Sequence, residues 1–248
     1  AWWFIGGKYN EEQFETDLEN ILDEYKNYGR LEVDIPEVDF AYEDSGKRMD
    51  ITIHIEEGPE YSVASLDTSG NAVFDDDEVL RLLEVQAGDV HDAGQVEEDA
   101  QLVQKGYEDS GFVNALVNPQ VTVDREAKTT NVIHRIAEGD LMYVGEVKIT
   151  GNTVTKDDVV RRELLLYPGE RFDGTMLRAS ERRLENTEFY ESVRFTREPI
   201  AGDDLFENLL VDVDEGKTGN FDFGLGYSTE EKFGVYSELR LRNFDIAN

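Results

Sequence analysis

The 248-residue chain contains no cysteine, which excludes disulfides and thiolate-bound metals. Histidine is nearly as scarce: His54, His91 and His134 are the only three, and no His-x3-His spacing joins them. A zinc-type ligand set is therefore not expected. Basic residues are also few, with 24 Lys and Arg against 56 Asp and Glu and a formal net charge of −32. Nucleic-acid binding requires clustered Lys and Arg over the phosphates, so no nucleic-acid partner is expected. No apolar run approaches 18 residues, and none reads as a transmembrane helix. The apolar start Ala1-Trp2-Trp3-Phe4-Ile5 is too short, and lacks the charged flank, for a secretory signal; it reads as the start of a fragment.

Catalytic signatures are missing too. There is no Gly-x-Ser-x-Gly elbow and no phosphate-binding Lys-Ser/Thr motif, and no helix follows Gly224-Leu225-Gly226 to make it a dinucleotide loop. The carboxylate runs Asp75-Asp76-Asp77-Glu78 and Glu97-Glu98-Asp99 lack the spacing of a calcium loop and read as helix-start residues. The expectation is a non-enzymatic protein with no cofactor and no metal.

What is present is 39% hydrophobic residues, enough for packed cores. The acid excess is spread out: −11 over residues 1–58, −12 over 59–139, −8 over 140–216 and −1 over 217–248. Two readings stay open, a solvated acidic surface or adaptation to concentrated salt, where a Debye length of about 3 Å at 1 M silences self-repulsion. The nine lysines fit the second.

Self-similarity organises the chain. Glu57-Gly58 and Glu138-Gly139 each close an apolar run, and a Gly-Asn pair follows twelve residues after each glycine, at Gly70-Asn71 and Gly151-Asn152. The period is 81 residues, and the register holds through Val73/Val154, Asp77/Asp158, Arg81/Arg162, Leu83/Leu164, Gly88/Gly169 and Asp92/Asp173. A third copy, truncated at its front, shows in Tyr25-Lys26-Asn27-Tyr28-Gly29 against Tyr107-Glu108-Asp109-Ser110-Gly111. Modules of residues 1–58, 59–139 and 140–216 follow from this, each read as β-α-α-β-β. The first strand alternates with period two, the Gly-Asn turn leads into helix-capping acids, and Gly88 or Gly169 reads as the C-cap of the short first helix. The second helix carries apolar residues at helical spacing, as at Phe14, Leu18, Ile21, Leu22 and Tyr25. Trp2-Trp3 reads as inter-helix packing or as a partner-binding wedge.

In such a module the strand order 1-3-2 is expected, leaving the second strand at an edge. That places Leu31, Val33 and Ile35, then Val113, Leu116 and Val117, then Val193 and Phe195 on edge strands, each followed by Pro36, Pro119 or Pro199. Residues 217–248 break the pattern. Phe221, Phe223, Leu225 and Tyr227, and then Phe233, Val235, Leu239 and Leu241, alternate with small or polar residues over about ten positions. Transmembrane β-barrel strands alternate this way, and so does an ordinary amphipathic hairpin.

With these motifs in hand, the sequence resembles the BamA family of outer-membrane protein assembly factors across essentially its whole length. The segments that carry the resemblance are Trp2-Trp3 with Lys8-Tyr9, Asp17-Leu18-Glu19 and Tyr28-Gly29; Gly151-Asn152-Thr153 with Val160-Arg161-Arg162-Glu163; Arg182-Arg183-Leu184; and Phe189-Tyr190-Glu191-Ser192-Val193. Gly219-Asn220-Phe221-Asp222-Phe223-Gly224-Leu225-Gly226-Tyr227 is similar to the family's first barrel strand, and Arg242-Asn243-Phe244 to the end of its second. The resemblance implies an α+β fold of tandem polypeptide-transport-associated (POTRA) modules, followed by the first two strands of a transmembrane β-barrel. It also implies a bacterial outer-membrane location with the modules in the periplasm. Unfolded outer-membrane proteins would be clients at the edge strands, assembly-machinery lipoproteins would bind near Arg161, Arg162 and Glu163, and the barrel would meet outer-membrane lipid. Translocation-and-assembly factors and secretion-partner transporters share such modules. A soluble periplasmic scaffold without a barrel is the alternative from another class.

Overall fold

The computed structural model describes residues 9–42, 49–216, 219–228 and 232–241. The Trp2-Trp3 pair and Arg242-Asn243-Phe244 lie outside the described residues. The chain divides into two compact units, one of residues 1–106 with 115–138, the other of residues 107–114 with 139–248.

The first unit contains α1 (Glu11–Asn27), whose N-terminus is capped by the Asn10 side chain accepting from the N–H groups of Glu12 and Gln13. Past the helix end, Gly29 has a φ of 75° and its carbonyl accepts from the Tyr61 N–H at 2.9 Å. β1 (Asp34–Tyr42) and β2 (Met49–Glu56) then pair antiparallel. A complete module follows: β3 (Ser62–Ser69), α2 (Asp76–Leu80), α3 (Ala93–Asp109), β4 (Leu116–Asp124) and β5 (Thr129–Ala137). β3 runs parallel to β5 and β4 antiparallel to it, giving the order β3-β5-β4. A parallel pair needs a long crossover, which α2 and α3 provide. Val63, Val85, Val96 and Val132 fill the space between sheet and helices.

The second unit repeats this plan. β6 (Tyr143–Thr150), α4 (Asp157–Arg161), α5 (Gly174–Glu185), β7 (Tyr190–Ile200) and β8 (Asp203–Glu215) give a sheet of order β6-β8-β7. Its core is built on Val144, Val160, Leu164, Leu166, Phe172, Leu184, Leu209 and Val211. Both complete modules therefore have the expected 1-3-2 strand order.

The repeated Gly-Asn pair has a steric cause. A Cβ on Gly70 would stand 2.1 Å from the Ile136 carbonyl oxygen, and one on Gly151 would stand 1.9 Å from that of Val213. Each asparagine then braces the loop into the following helix. Asn71 Nδ2 donates to the Phe74 carbonyl and to Asp76 Oδ1, and Asn152 Nδ2 donates to the Thr155 carbonyl and to Asp157 Oδ1.

Several expectations are corrected. The short helices end at Leu80 and Arg161, well before Gly88 and Gly169. Those glycines are not C-caps; their N–H groups donate to the carbonyls of Val63 and Val144, at 2.8 and 2.7 Å. Asp75 does form a capping box with Glu78, whereas Lys156 holds the N-cap of α4 without a side-chain bond. Asp99 lies beyond the first turn of α3, is 1% exposed, and accepts from the N–H groups of Glu84 and Val85. It ties down a loop rather than capping its own helix.

Beyond the modules, β9 (Gly219–Ser228) and β10 (Lys232–Leu241) pair antiparallel. The register sets Phe221 against Leu239, Leu225 against Val235 and Tyr227 against Phe233.

Candidate interaction site

In the two complete modules the edge positions are set by the 1-3-2 order. β4 and β7 flank the central strands β5 and β8, and β1 is the corresponding strand beside β2. Strands at an edge offer backbone N–H and C=O groups on the side away from their partner. Ile35 lies in β1, Leu116 and Val117 in β4, and Val193 and Phe195 in β7. Leu31, Val33 and Val113 do not lie in strands. The chain needs residues 30–33 and 112–115 to turn out of the helix, through bonds such as Arg30 N–H to the Tyr25 carbonyl and Phe112 N–H to the Tyr107 carbonyl. Val117 and Val193 are buried in the module cores, Ile35 and Phe195 are half-buried, and Leu116 is 57% exposed.

The edge strands run further than expected, and Pro36, Pro119 and Pro199 fall inside them rather than after them. A proline survives in a ladder only where its nitrogen faces away from the partner strand. At Pro119, which is set opposite His134, the outward-facing backbone groups are therefore those of the odd-numbered residues, Val117, Val121 and Val123.

Arg161, Arg162 and Glu163 are brought to one end of α4. Glu163 is held from two sides, by Arg162 Nε at 3.1 Å and Arg183 Nε at 3.3 Å. Arg161 turns toward the sheet, where its Nη2 donates to the Val147 carbonyl at 3.2 Å, and it pairs with Asp157 at 3.6 Å. Leu164 and Leu166, which follow this motif, are core residues at 2% exposure.

Sequence reasoning missed a clamp that both complete modules share. Glu138, at the end of its module's last strand, accepts from the N–H groups of Ala72 and Val73 at 2.7 and 2.8 Å. Glu215 accepts from the Thr153 hydroxyl and from the N–H groups of Val154 and Thr155, at 2.7, 2.8 and 2.6 Å. Burial alone would raise the Glu215 carboxyl. Hydrogen bonds from Thr155 and Thr153 and from the Thr155 and Val154 backbone outweigh it and hold the pKa down at about 2, against an ordinary 4.5. The signal was in plain view: a glutamate precedes the closing glycine of every module.

A second feature missed is a cluster of rings beside β1. Phe40 lies 5.7 Å from Phe14 and 6.0 Å from Tyr9, and Tyr9 and Phe14 are 5.8 Å apart. Among the described residues no group of three or more potential metal ligands occurs.

This architecture has known counterparts. The POTRA family, described as "Surface antigen variable number repeat", matches residues 4–58, 61–139 and 142–216. The chain belongs to the POTRA family. Its POTRA modules are similar to the outer membrane protein assembly factor BamA of Nitratidesulfovibrio vulgaris, at 32% identity over 97% of this chain and 31% of that protein. BamA of Neisseria meningitidis serogroup B is 27% identical over 92% of this chain and 29% of its own length. The chain thus spans about a third of the length of the curated relatives it matches. Among solved structures, the Haemophilus influenzae BamA POTRA3-5 fragment superposes with a TM-score of 0.72 at 26% identity, covering 85% of this chain and 83% of that one. The POTRA fold and its threefold repetition are thereby shared with the BamA family.

Proposed function

We propose that this chain is part of a bacterial outer-membrane protein assembly factor, with POTRA modules of residues 1–58, 59–139 and 140–216 in the periplasm. In this reading, residues 217–248 begin a transmembrane β-barrel that meets outer-membrane lipid. The modules act as a non-enzymatic scaffold that receives unfolded outer-membrane proteins by strand addition at β1, β4 and β7. Assembly-machinery lipoproteins dock at the end of α4, on Arg161, Arg162 and Glu163. The observation that carries this reading is the 1-3-2 strand order, which leaves a backbone edge on both complete modules, in a chain similar to assembly factors over nearly all its length.

Strand addition draws its affinity from main-chain hydrogen bonds, each contributing about 0.5–1.5 kcal/mol net. It therefore tolerates many client sequences. Val121→Pro tests it. That residue shares the outward parity of Pro119, so the change removes one docking donor while sparing the β4–β5 ladder. The expected outcome is an unchanged circular dichroism spectrum and binding of an extended outer-membrane-protein peptide weakened about tenfold or less. A folded variant that binds as tightly as the parent would exclude this edge.

A further inference from the structure

We infer that β1 is a selective edge: it takes extended segments that carry aromatic side chains at alternate positions, with lysine or arginine between them. The inference rests on the strand-addition reading and names the client class for one edge.

Its first support is the face of β1 that carries Val38, Phe40 and Tyr42. The register sets these against Ile53, Ile51 and Met49 of β2, and the rings of Tyr9 and Phe14 lie over the same face, against Phe40. The rings are packed yet open to solvent: Phe40 is 41% exposed, Tyr9 45% and Tyr42 72%. A strand added to β1 lies about 4.8 Å away, and every second side chain points to the same face. Those side chains therefore come to rest beside Phe40 and Tyr42. An aromatic ring there extends an existing cluster at spacings where ring pairs attract.

The second support is the opposite face. Glu37 and Asp39 of β1 stand there, beside Asp50 and Glu56 of β2 and with His54 Nε2 2.9 Å from Asp39 Oδ2. Neither strand contains Lys or Arg. An incoming segment thus meets an acidic row with its intervening side chains, and basic residues there are favoured. Neither β4 nor β7 combines these features. β4 has no aromatic residue and no charge before Asp124, and β7 carries Arg194 and Arg197.

The test measures binding of nine-residue peptides to the full chain by fluorescence anisotropy. The probes are an alternating Phe/Lys peptide, its Leu/Lys and Phe/Glu counterparts, and a Phe/Lys peptide N-methylated on alternate amides. Phe/Lys is expected to bind about three- to tenfold tighter than Leu/Lys. Tyr42→Ser, at a position too exposed to hold up the fold, should remove most of that margin, as should Phe40→Ser if circular dichroism shows it folded. The preference for Phe/Lys over Phe/Glu should collapse at 1 M salt. Equal binding of Phe/Lys and Leu/Lys, or a Tyr42→Ser protein that keeps the full margin, overturns the selectivity. If the N-methylated peptide binds as well as its parent, strand addition itself fails. If N-methylation abolishes binding while Tyr42→Ser changes nothing, the edge stands and only the selectivity falls.

Discussion

The two complete modules share one topology and differ in the chemistry of several buried positions. His91 of the first stands where the second has Phe172; their N–H groups donate to the Tyr61 and Met142 carbonyls at the same 2.9 Å. Asp99, which ties down the Glu84–Val85 loop, is replaced by Ser180, whose hydroxyl accepts from the Leu165 N–H at 2.9 Å. His134 is replaced in the second core by Val211, and both are fully buried. Burial pushes both imidazoles below their ordinary 6.5, for His91 against the pull of Asp92 and for His134 against the Val96 backbone, Asp99 and Glu97. One frame thus accommodates a buried imidazole or an apolar side chain at the same two positions. What does not vary is the Gly-Asn turn and the glutamate clamp. The frame is held by backbone geometry, while core chemistry is free to diverge.

The most damaging change should fall on the shared frame. Gly151→Ala drives a Cβ into the Val213 carbonyl at a φ of 86°, and a loss of about 3 kcal/mol or more is expected for its module by calorimetry. Gly169→Ala has the same φ with nothing within 4 Å of the new Cβ, so only the backbone penalty of about 1 kcal/mol should appear. Equal costs at the two sites would show that the close approach is not what demands glycine.

Acid should separate the modules next. A histidine with a depressed pKa stabilises the native state fully above its unfolded value of 6.5, and that contribution is lost as pH falls through the folded value. Glu215 behaves likewise from 4.5 down to about 2. Amide hydrogen exchange should therefore show the module of residues 59–139 opening first below about pH 6.5, while residues 140–216 stay protected until Glu215 titrates. His134→Val, borrowing the other module's residue, should delay the first step. Simultaneous opening of both modules would break the comparison.

Smaller still is the difference between the clamps. Glu215→Gln should cost about 1–2 kcal/mol and Glu138→Gln less, because Ala72 offers no hydroxyl where Thr153 does. Screening should have the mildest effect. Raising salt from 0.05 to 1 M should lift the melting temperature by a few degrees, and more for the module of charge −12 than for that of −8. A flat response would remove the saline reading and leave the rest intact.

The sequence made the repeat, the strand order and the hairpin of β9 and β10 legible, because glycine spacing and period-two alternation are local signals. It misled where a glycine signal was over-read. Gly88 looked like a cap because it follows a helical run, yet its N–H is claimed by Val63, a partner 25 positions back. Edge strands were placed too early for a related reason. Leu31, Val33 and Val113 are apolar and follow Gly29 or Gly111, but the helix-to-strand turn consumes them. The repeated Glu-Gly pair marks the two clamp glutamates, but their partners, like those of Asp99, are backbone donors far along the chain. The ring cluster at β1 joins Tyr9 to Phe40 across 31 positions, beyond any periodicity.

The prolines inside the edge strands also act on time. With Pro119 in place, β4 keeps three outward-facing N–H groups, on Val117, Val121 and Val123. A segment docked there would gain about 1.5–4.5 kcal/mol, a Kd of about 1 mM at the tight end. At an ordinary association rate of about 10⁶ M⁻¹s⁻¹, the segment leaves after roughly a millisecond. A client would therefore not be stored on any one module. It would visit and leave an edge hundreds of times a second, and only simultaneous engagement of several edges on the same chain would lengthen the stay. Retention would depend on how much of the client is still unfolded, and a client that has paired its own strands would be let go without any further signal.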